Sequence, residues 1–177
     1  PVLIQCVSKR VSGFLVFVAE LFRWIIARQI GIWRGVKMTT ATILAQVILF
    51  CWFFGCVCTY KFGKYILVDG MGIKSAEFVM LCLFSIGSIS FWIVPFLGKW
   101  FLLGVLLFWF SVQFFCHWYY TIFGASEKKL KGYNDCFKNT VHIIPASKTK
   151  LIPDLYHMIL HLLILLNIVL VLCNIFI

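Results

Sequence analysis

The chain has 177 residues, of which 63% are hydrophobic, 18% aromatic and 12% charged. A soluble domain of this length cannot bury so much apolar surface, so the composition excludes an ordinary soluble domain, a disordered chain and a secreted disulfide scaffold. The predicted fold class is an all-α, polytopic integral membrane helical bundle. The net charge of +10 indicates membrane topology first and contact with anionic lipid second. No separate basic domain is present to bind nucleic acid, so no nucleic-acid partner is expected.

The first apolar segment, residues 14–33, is interrupted by charges and has two interpretations. Glu20 and Arg23 share one helical stripe, so the segment is either an amphipathic helix in the membrane interface or a fifth transmembrane helix whose charged pair faces protein. With a fifth span, lysines and arginines concentrate on one side of the bilayer, whereas with four spans the two sides are nearly equal. The positive-inside rule therefore favours five spans, with the N-terminus on the non-translocated side.

Four further segments are each long and apolar enough to cross a bilayer, which takes about 20 residues in a helix. They are residues 40–58, 78–97, 100–123 and 155–177. A short link that contains Gly98 and Lys99 joins the second and third of these segments, which predicts an antiparallel hairpin. The whole chain, residues 1–177, is interpreted as a single membrane domain.

The longest polar segment, residues 124–152, carries six lysines and connects the last two predicted spans. Its charge predicts that it lies on the non-translocated side and contacts anionic lipid head groups. Within it, residues 126–131 are predicted to form a short surface helix and residues 132–135 a turn. Residues 59–77 are predicted to be a loop, because their glycines favour turns.

Histidines in the last two spans form the one polar constellation that predicts a site. Asp154, His157 and His161 are spaced by three and four residues, so they share one face of the last span. His117 lies in the third span, and both His117 and His161 sit roughly 9–10 Å into the membrane from the shared 124–152 connector. Equal depth on two helices is what a shared site requires.

Several uses of these histidines stay open. A metal site, with zinc as the candidate ion, would use Asp154, His157 and His161, whereas a haem or other cofactor would be held by His117, His157 and His161. A chain of such side chains would also relay protons. The alternative is structural, because polar groups in membrane helices, here including Asn167 and Asn174, also serve as interhelical hydrogen-bonding groups. Catalytic residues are left unassigned, since no Ser-His-Asp or Cys-His arrangement can be assembled.

The small mass outside the bilayer favours one function class. The leading prediction is a non-catalytic integral membrane subunit of a larger respiratory, transport or translocation complex, with the lipid bilayer and other membrane subunits as partners. One alternative is a membrane-embedded metal- or haem-binding enzyme or electron carrier that uses the histidine cluster. Another is a small homo-oligomeric channel or transporter with Glu20 and Arg23 near its pathway. The bacterial inner membrane, the mitochondrial inner membrane and the endoplasmic reticulum are all compatible with such a protein.

Overall fold

The computed structural model describes residues 40–176, which belong to the second of the two units into which the chain divides at Lys37 and Met38. The segment 14–33, with Glu20 and Arg23, lies outside the described residues. The fifth span, the channel hypothesis that uses this charged pair and the single domain over the whole chain therefore stay predictions.

The described chain is mostly helical, as an all-α membrane bundle requires. Its helices and strands, in chain order, are α1 (Thr40–Phe53), β1 (Tyr60–Phe62), β2 (Tyr65–Val68), α2 (Ala76–Ile93), α3 (Pro95–Phe123), α4 (Glu127–Phe137) and α5 (Leu155–Phe176). Three of them, α2, α3 and α5, are long and apolar enough to cross a membrane, with 18, 29 and 22 residues. The prediction of a multi-pass helical membrane protein is confirmed at this level.

The predicted span over residues 40–58 is shorter in the structure. The α-helix ends at Phe53, and a 3₁₀ turn, Phe54–Cys56, follows it. The chain turns here because the β-hairpin folds back onto the helix end: Tyr60 Oη donates a hydrogen bond of 2.8 Å to the carbonyl oxygen of Cys51. Gly55 leaves room for this contact, since a Cβ atom there would lie 2.9 Å from the Tyr60 ring.

The connector predicted as a loop contains this antiparallel β-hairpin, so the described chain is not purely helical. Phe62 pairs with Tyr65 across a two-residue turn, in which Gly63 adopts a φ of 59°. Main-chain bonds then tie the hairpin to the second connector and α5: Val141 N–H donates to the Ile66 carbonyl, and Leu155 N–H donates to the Val141 carbonyl. Both connectors therefore meet at the same end of the bundle.

The α2–α3 hairpin is tighter than predicted, because a single residue, Val94, separates the two helices. Val94, with φ −127° and ψ 73°, lies outside the α-helical region, which a residue before a proline avoids. Pro95 begins α3 at a position where its missing N–H costs nothing. Gly98 allows the helices to touch, since a Cβ atom there would overlap the carbonyl group of Ser90. Gly98 and Lys99 thus lie in the first turns of α3 and not at the tip of the hairpin.

Polar side chains hold α1 against its neighbours throughout its length. Asn174 on α5 donates to the Thr42 hydroxyl, and Asn167 on α5 donates to the Ala45 carbonyl oxygen, so both asparagines make the predicted interhelical bonds. Trp92 on α2 donates a bond of 2.9 Å to Gln46. Because early residues of α1 contact the end of α5, the two helices are antiparallel.

The 124–152 segment is helical over Glu127–Phe137, so the predicted surface helix is longer than residues 126–131 and the turn predicted at residues 132–135 is wrong. The reason is tertiary packing. Tyr133 and Phe137 are four residues apart on α4, their ring centroids lie 4.5 Å apart, and both rings contact His117 of α3. Packing of these two aromatic rings holds Gly132 and Asn134 in a helix, although both residue types favour turns.

Candidate functional site

Four polar side chains meet where α3, α4 and α5 come together at the connector end of the bundle. His157 Nδ1 lies 2.6 Å from Asp154 Oδ1, and His117 Nδ1 lies 2.7 Å from Tyr133 Oη. The two imidazole rings stack on each other, with centroids 4.2 Å apart and planes inclined by 27°. We call Tyr133, His117, His157 and Asp154 the histidine pair site.

Asp154 makes two contacts on the first turn of α5, and both are with His157. Its Oδ1 accepts a hydrogen bond of 2.9 Å from the backbone N–H of His157, as an N-cap carboxylate does, and the same oxygen faces the His157 ring. The residue is completely shielded from solvent. One carboxylate therefore both begins the helix and orients the imidazole.

His117 reaches the site from an irregular part of α3. The helix is α-helical over Pro95–Gln113, forms a π-helical turn over Phe114–Trp118 and returns to α-helix over Tyr119–Phe123. A π turn widens the helix by one residue per turn, and such turns recur at functional sites. Its effect here is to change the direction in which His117 points relative to the residues that precede it.

Two groups of the site lie outside the membrane-spanning segments, and their pKa values are displaced in opposite directions. Burial alone would raise the pKa of Asp154, but the hydrogen bonds and charge of His157 outweigh it and hold that pKa below its ordinary value. Burial, followed by the nearby negative charge of Asp154, raises the pKa of the Tyr133 hydroxyl. Asp154 is thus held as a carboxylate and Tyr133 as a neutral hydroxyl.

His161, the third predicted member, is placed differently. It lies one turn further along α5, where its ring packs on Phe110 at 4.2 Å and near Trp118 at 5.9 Å, and its Nδ1 has no hydrogen-bond partner among the described residues. The structure therefore brings His117 against His157 and leaves His161 among aromatic rings.

The metal and haem hypotheses find no support in this arrangement, although they stay predictions. Between residues 40 and 176, no group of three or more His, Cys, Asp or Glu side chains is placed to hold a metal ion. The rings of His117 and His157 face each other, and their Nδ1 atoms already contact Tyr133 and Asp154. Two stacked imidazolium ions would repel each other, so this arrangement disfavours charge on both rings at once.

Sequence reasoning missed Tyr133, which it assigned to a turn. The signal that would have found it is the aromatic pair Tyr133 and Phe137 at a spacing of four residues, which marks one face of a helix. Comparisons with protein-family models, with curated proteins and with solved structures found no significant match to this chain. Its function is therefore argued from its own geometry.

Proposed function

We propose that the protein is a membrane subunit of a larger proton-coupled complex, and that the histidine pair site binds and releases one proton. The observation that carries this proposal is the stacking of His117 on His157 at 4.2 Å, with each ring hydrogen-bonded to a separate partner. Neither the metal nor the haem hypothesis accounts for such a face-to-face pair.

The hydrogen bonds define where the proton goes. With both rings neutral, the Nδ1–H of His157 donates to Asp154 Oδ1, and the hydroxyl of Tyr133 donates to His117 Nδ1. A proton added to Nε2 of His157 gives an imidazolium ion that is compensated by the Asp154 carboxylate. A second proton on His117 would place like charges face to face, so the site holds a single added proton.

The number of membrane crossings is part of the same proposal. We infer that α1 is a fourth crossing, because its contacts with α5 extend from Thr42 and Asn174 at one end to Trp52 and Tyr156 at the other. The apolar helix Ala41–Cys56 is about 24 Å long at 1.5 Å per residue, which is slightly less than the hydrocarbon thickness of about 30 Å. A short α1 would be matched by local thinning of the bilayer or by the residues that precede it.

Charge supports an orientation in which the connector end lies on the non-translocated side. Nine lysines of the two connectors are exposed at that end: Lys61, Lys64, Lys74, Lys128, Lys129, Lys131, Lys138, Lys148 and Lys150. At the opposite end the described chain has only Lys99. The positive-inside rule assigns the lysine-rich end to the non-translocated side, where these side chains would contact anionic head groups.

Proton binding is tested by histidine NMR on the protein in lipid nanodiscs. We expect one imidazole of the stacked pair, and only one, to take up a proton when the sample is titrated from about pH 8 to about pH 5, and His157→Gln to abolish that uptake. His142→Gln is the matched control, because His142 is exposed and its removal should delete only its own signal. Independent protonation of both rings, or none in either ring across this range, would refute the proposal.

Complex membership needs a separate experiment. Purification in mild detergent, followed by mass spectrometry, should recover membrane partners in a fixed ratio to the chain. A chain that stays alone and monodisperse under conditions that preserve other membrane complexes of the same preparation would contradict the subunit assignment, without affecting the proton site.

A further inference from the structure

A cavity of about 250 Å³ lies at the connector end of the bundle. It is bordered by the end of α1, the hairpin, the start of α2, the middle of α3 and the approach to α5. Asp69 and Met71, both exposed, line its outer edge, so it opens toward the side of the connectors. This volume is several times that of one water molecule, about 30 Å³ in the liquid, and exceeds what a bare metal ion would fill.

The charge of the cavity is opposite to that of the chain. Three of the six acidic residues in the sequence, Asp69, Glu77 and Asp154, line it, whereas none of the described lysines does. In a protein with a net charge of +10, this concentration of carboxylates gives the cavity a locally negative electrostatic potential, which attracts cations.

Buried groups without hydrogen-bond partners supply a second, independent observation. Asp154 Oδ2 and Gln113 Oε1 are both acceptors on residues that line the cavity, and neither has a hydrogen-bond partner within residues 40–176. Asp154 is fully buried, and Gln113 is 5% exposed. An unpaired buried acceptor costs about 1–3 kcal/mol, so these two acceptors favour a guest that donates hydrogen bonds.

The cavity walls fit an organic cation. Phe53 and Trp109 stack with centroids 5.2 Å apart, and both line the cavity together with Phe137 and Tyr156. Aromatic faces attract ammonium groups and shield an alkyl chain from water.

We propose that this cavity binds a small primary ammonium compound, whose N–H groups are accepted by Asp154 Oδ2 and Gln113 Oε1 and whose alkyl part lies against Phe53 and Trp109. A primary ammonium ion supplies the positive charge, the donors and the apolar body together. The ammonium group would use the second carboxylate oxygen of Asp154 and not the one that faces His157. The two sites share this carboxylate, and His157 also lines the cavity, whereas Glu77 and Gln113 belong to the cavity alone.

The test is calorimetric titration of the full chain in nanodiscs of zwitterionic lipid with three probes: n-butylammonium, 1-butanol and tetramethylammonium. Butylammonium should bind at least tenfold more tightly than either of the others, since butanol lacks the charge and tetramethylammonium lacks N–H donors. Asp154→Asn should weaken butylammonium binding at least tenfold, and Gln113→Leu about fivefold, as expected for a hydrogen bond to a charged group and one to a neutral group.

Two further variants keep the test decisive. Glu77→Gln should weaken butylammonium binding severalfold and leaves the residues of the histidine pair site unchanged. If Asp154→Asn does not fold, Glu77→Gln provides the test of the carboxylate contribution. Glu127→Gln is the matched control, because Glu127 is exposed on α4 and does not line the cavity. Equal binding of butylammonium and butanol by the unmodified chain, or unchanged binding in both Glu77→Gln and Gln113→Leu, would overturn the proposal.

Discussion

The two ends of the bundle are built on different principles. At the hairpin end, α2 and α3 are joined by one residue, Gly98 lets the backbones touch, and Lys99 Nζ donates to the carbonyl oxygen of Asn174 at the end of α5. At the connector end, a π turn carries His117 to the histidine pair site, and a buried carboxylate and unpaired acceptors line a cavity. The hairpin end is closely packed, whereas the connector end retains buried polar groups that close packing does not require.

This contrast shows in which part of the bundle function is to be sought. Buried polar groups cost free energy unless they are paired, so a cluster of them at one end of a membrane bundle calls for a chemical reason. Substitutions at the two ends should therefore behave differently, and five measurements test that difference.

The largest effect is expected at the hairpin end, from Gly98→Ala. The new Cβ atom would overlap the backbone carbonyl group of Ser90, so α2 and α3 must separate, at a cost of about 3 kcal/mol. The midpoint of unfolding in a denaturing detergent measures this cost. Gly104→Ala on the same helix is the control: no atom lies within 4 Å of its added Cβ, so it should be neutral or slightly stabilising. Equal effects of the two changes would refute the close packing.

At the connector end, Asp154→Ala should destabilise the protein by about 2 kcal/mol, because it removes an N-cap and the partner of a buried imidazole. Asp135→Ala, an exposed carboxylate on α4, should change the unfolding midpoint little. If Asp135→Ala were as damaging as Asp154→Ala, the contacts of Asp154 would not explain the loss.

The same residue predicts a pH dependence. Because the pKa of Asp154 is lower in the folded protein than its ordinary value of 3.8, its contribution is present above that pH and is lost as the pH falls toward the folded value. In Asp154→Asn, the free energy of unfolding should therefore fall less steeply at acid pH than it does in the unmodified protein. If the free energy of unfolding falls as steeply as before, other carboxylates cause the acid sensitivity.

Tyr133→Phe is expected to have a smaller effect, of about 1 kcal/mol, since it removes the hydroxyl that contacts His117 but keeps the ring in place. It should also change the NMR signals of the His117 ring while α4 stays helical. Tyr65→Phe, at an exposed position of the hairpin, is the matched control and should alter neither quantity.

The smallest effect is expected for Lys99→Met, about 0.5 kcal/mol, because a lysine at a helix C-terminus is stabilised by the unpaired carbonyl groups and the helix dipole. Thermal unfolding should shift by a degree or two. Lys131→Met, which changes an exposed lysine on α4, controls for the loss of a charge. A loss as large as that of Gly98→Ala would mean that both ends depend on polar contacts.

Much of the helical architecture could be predicted because span length and apolar content are local properties of the sequence. The extent of α1 could not, since it depends on Tyr60 reaching back to Cys51 from a hairpin that has no strong strand pattern. The end of α4 was missed for a similar reason. Its turn-like residues are held in a helix by packing on His117, which a local pattern does not report.

The depth of the candidate site in the membrane could be predicted, but the contacts between its side chains could not. Counting residues from the shared connector placed His117 and His161 at the same level, and the structure instead brings His117 against His157. A count that assumes 3.6 residues per turn cannot include the π turn at Phe114–Trp118, which rotates His117 relative to the rest of α3. Orphaned acceptors such as Gln113 Oε1 are likewise invisible until neighbouring helices are in place.

The one-residue link at Val94 has a consequence for how the protein enters its membrane. Since α2 and α3 share no polar loop, inserting them requires the transfer of almost no hydrophilic backbone and a single ammonium group, that of Lys99. The link is too short for one helix to insert before the other. The pair is therefore expected to leave the insertion machinery as one preassembled hairpin, around which the flanking helices then assemble.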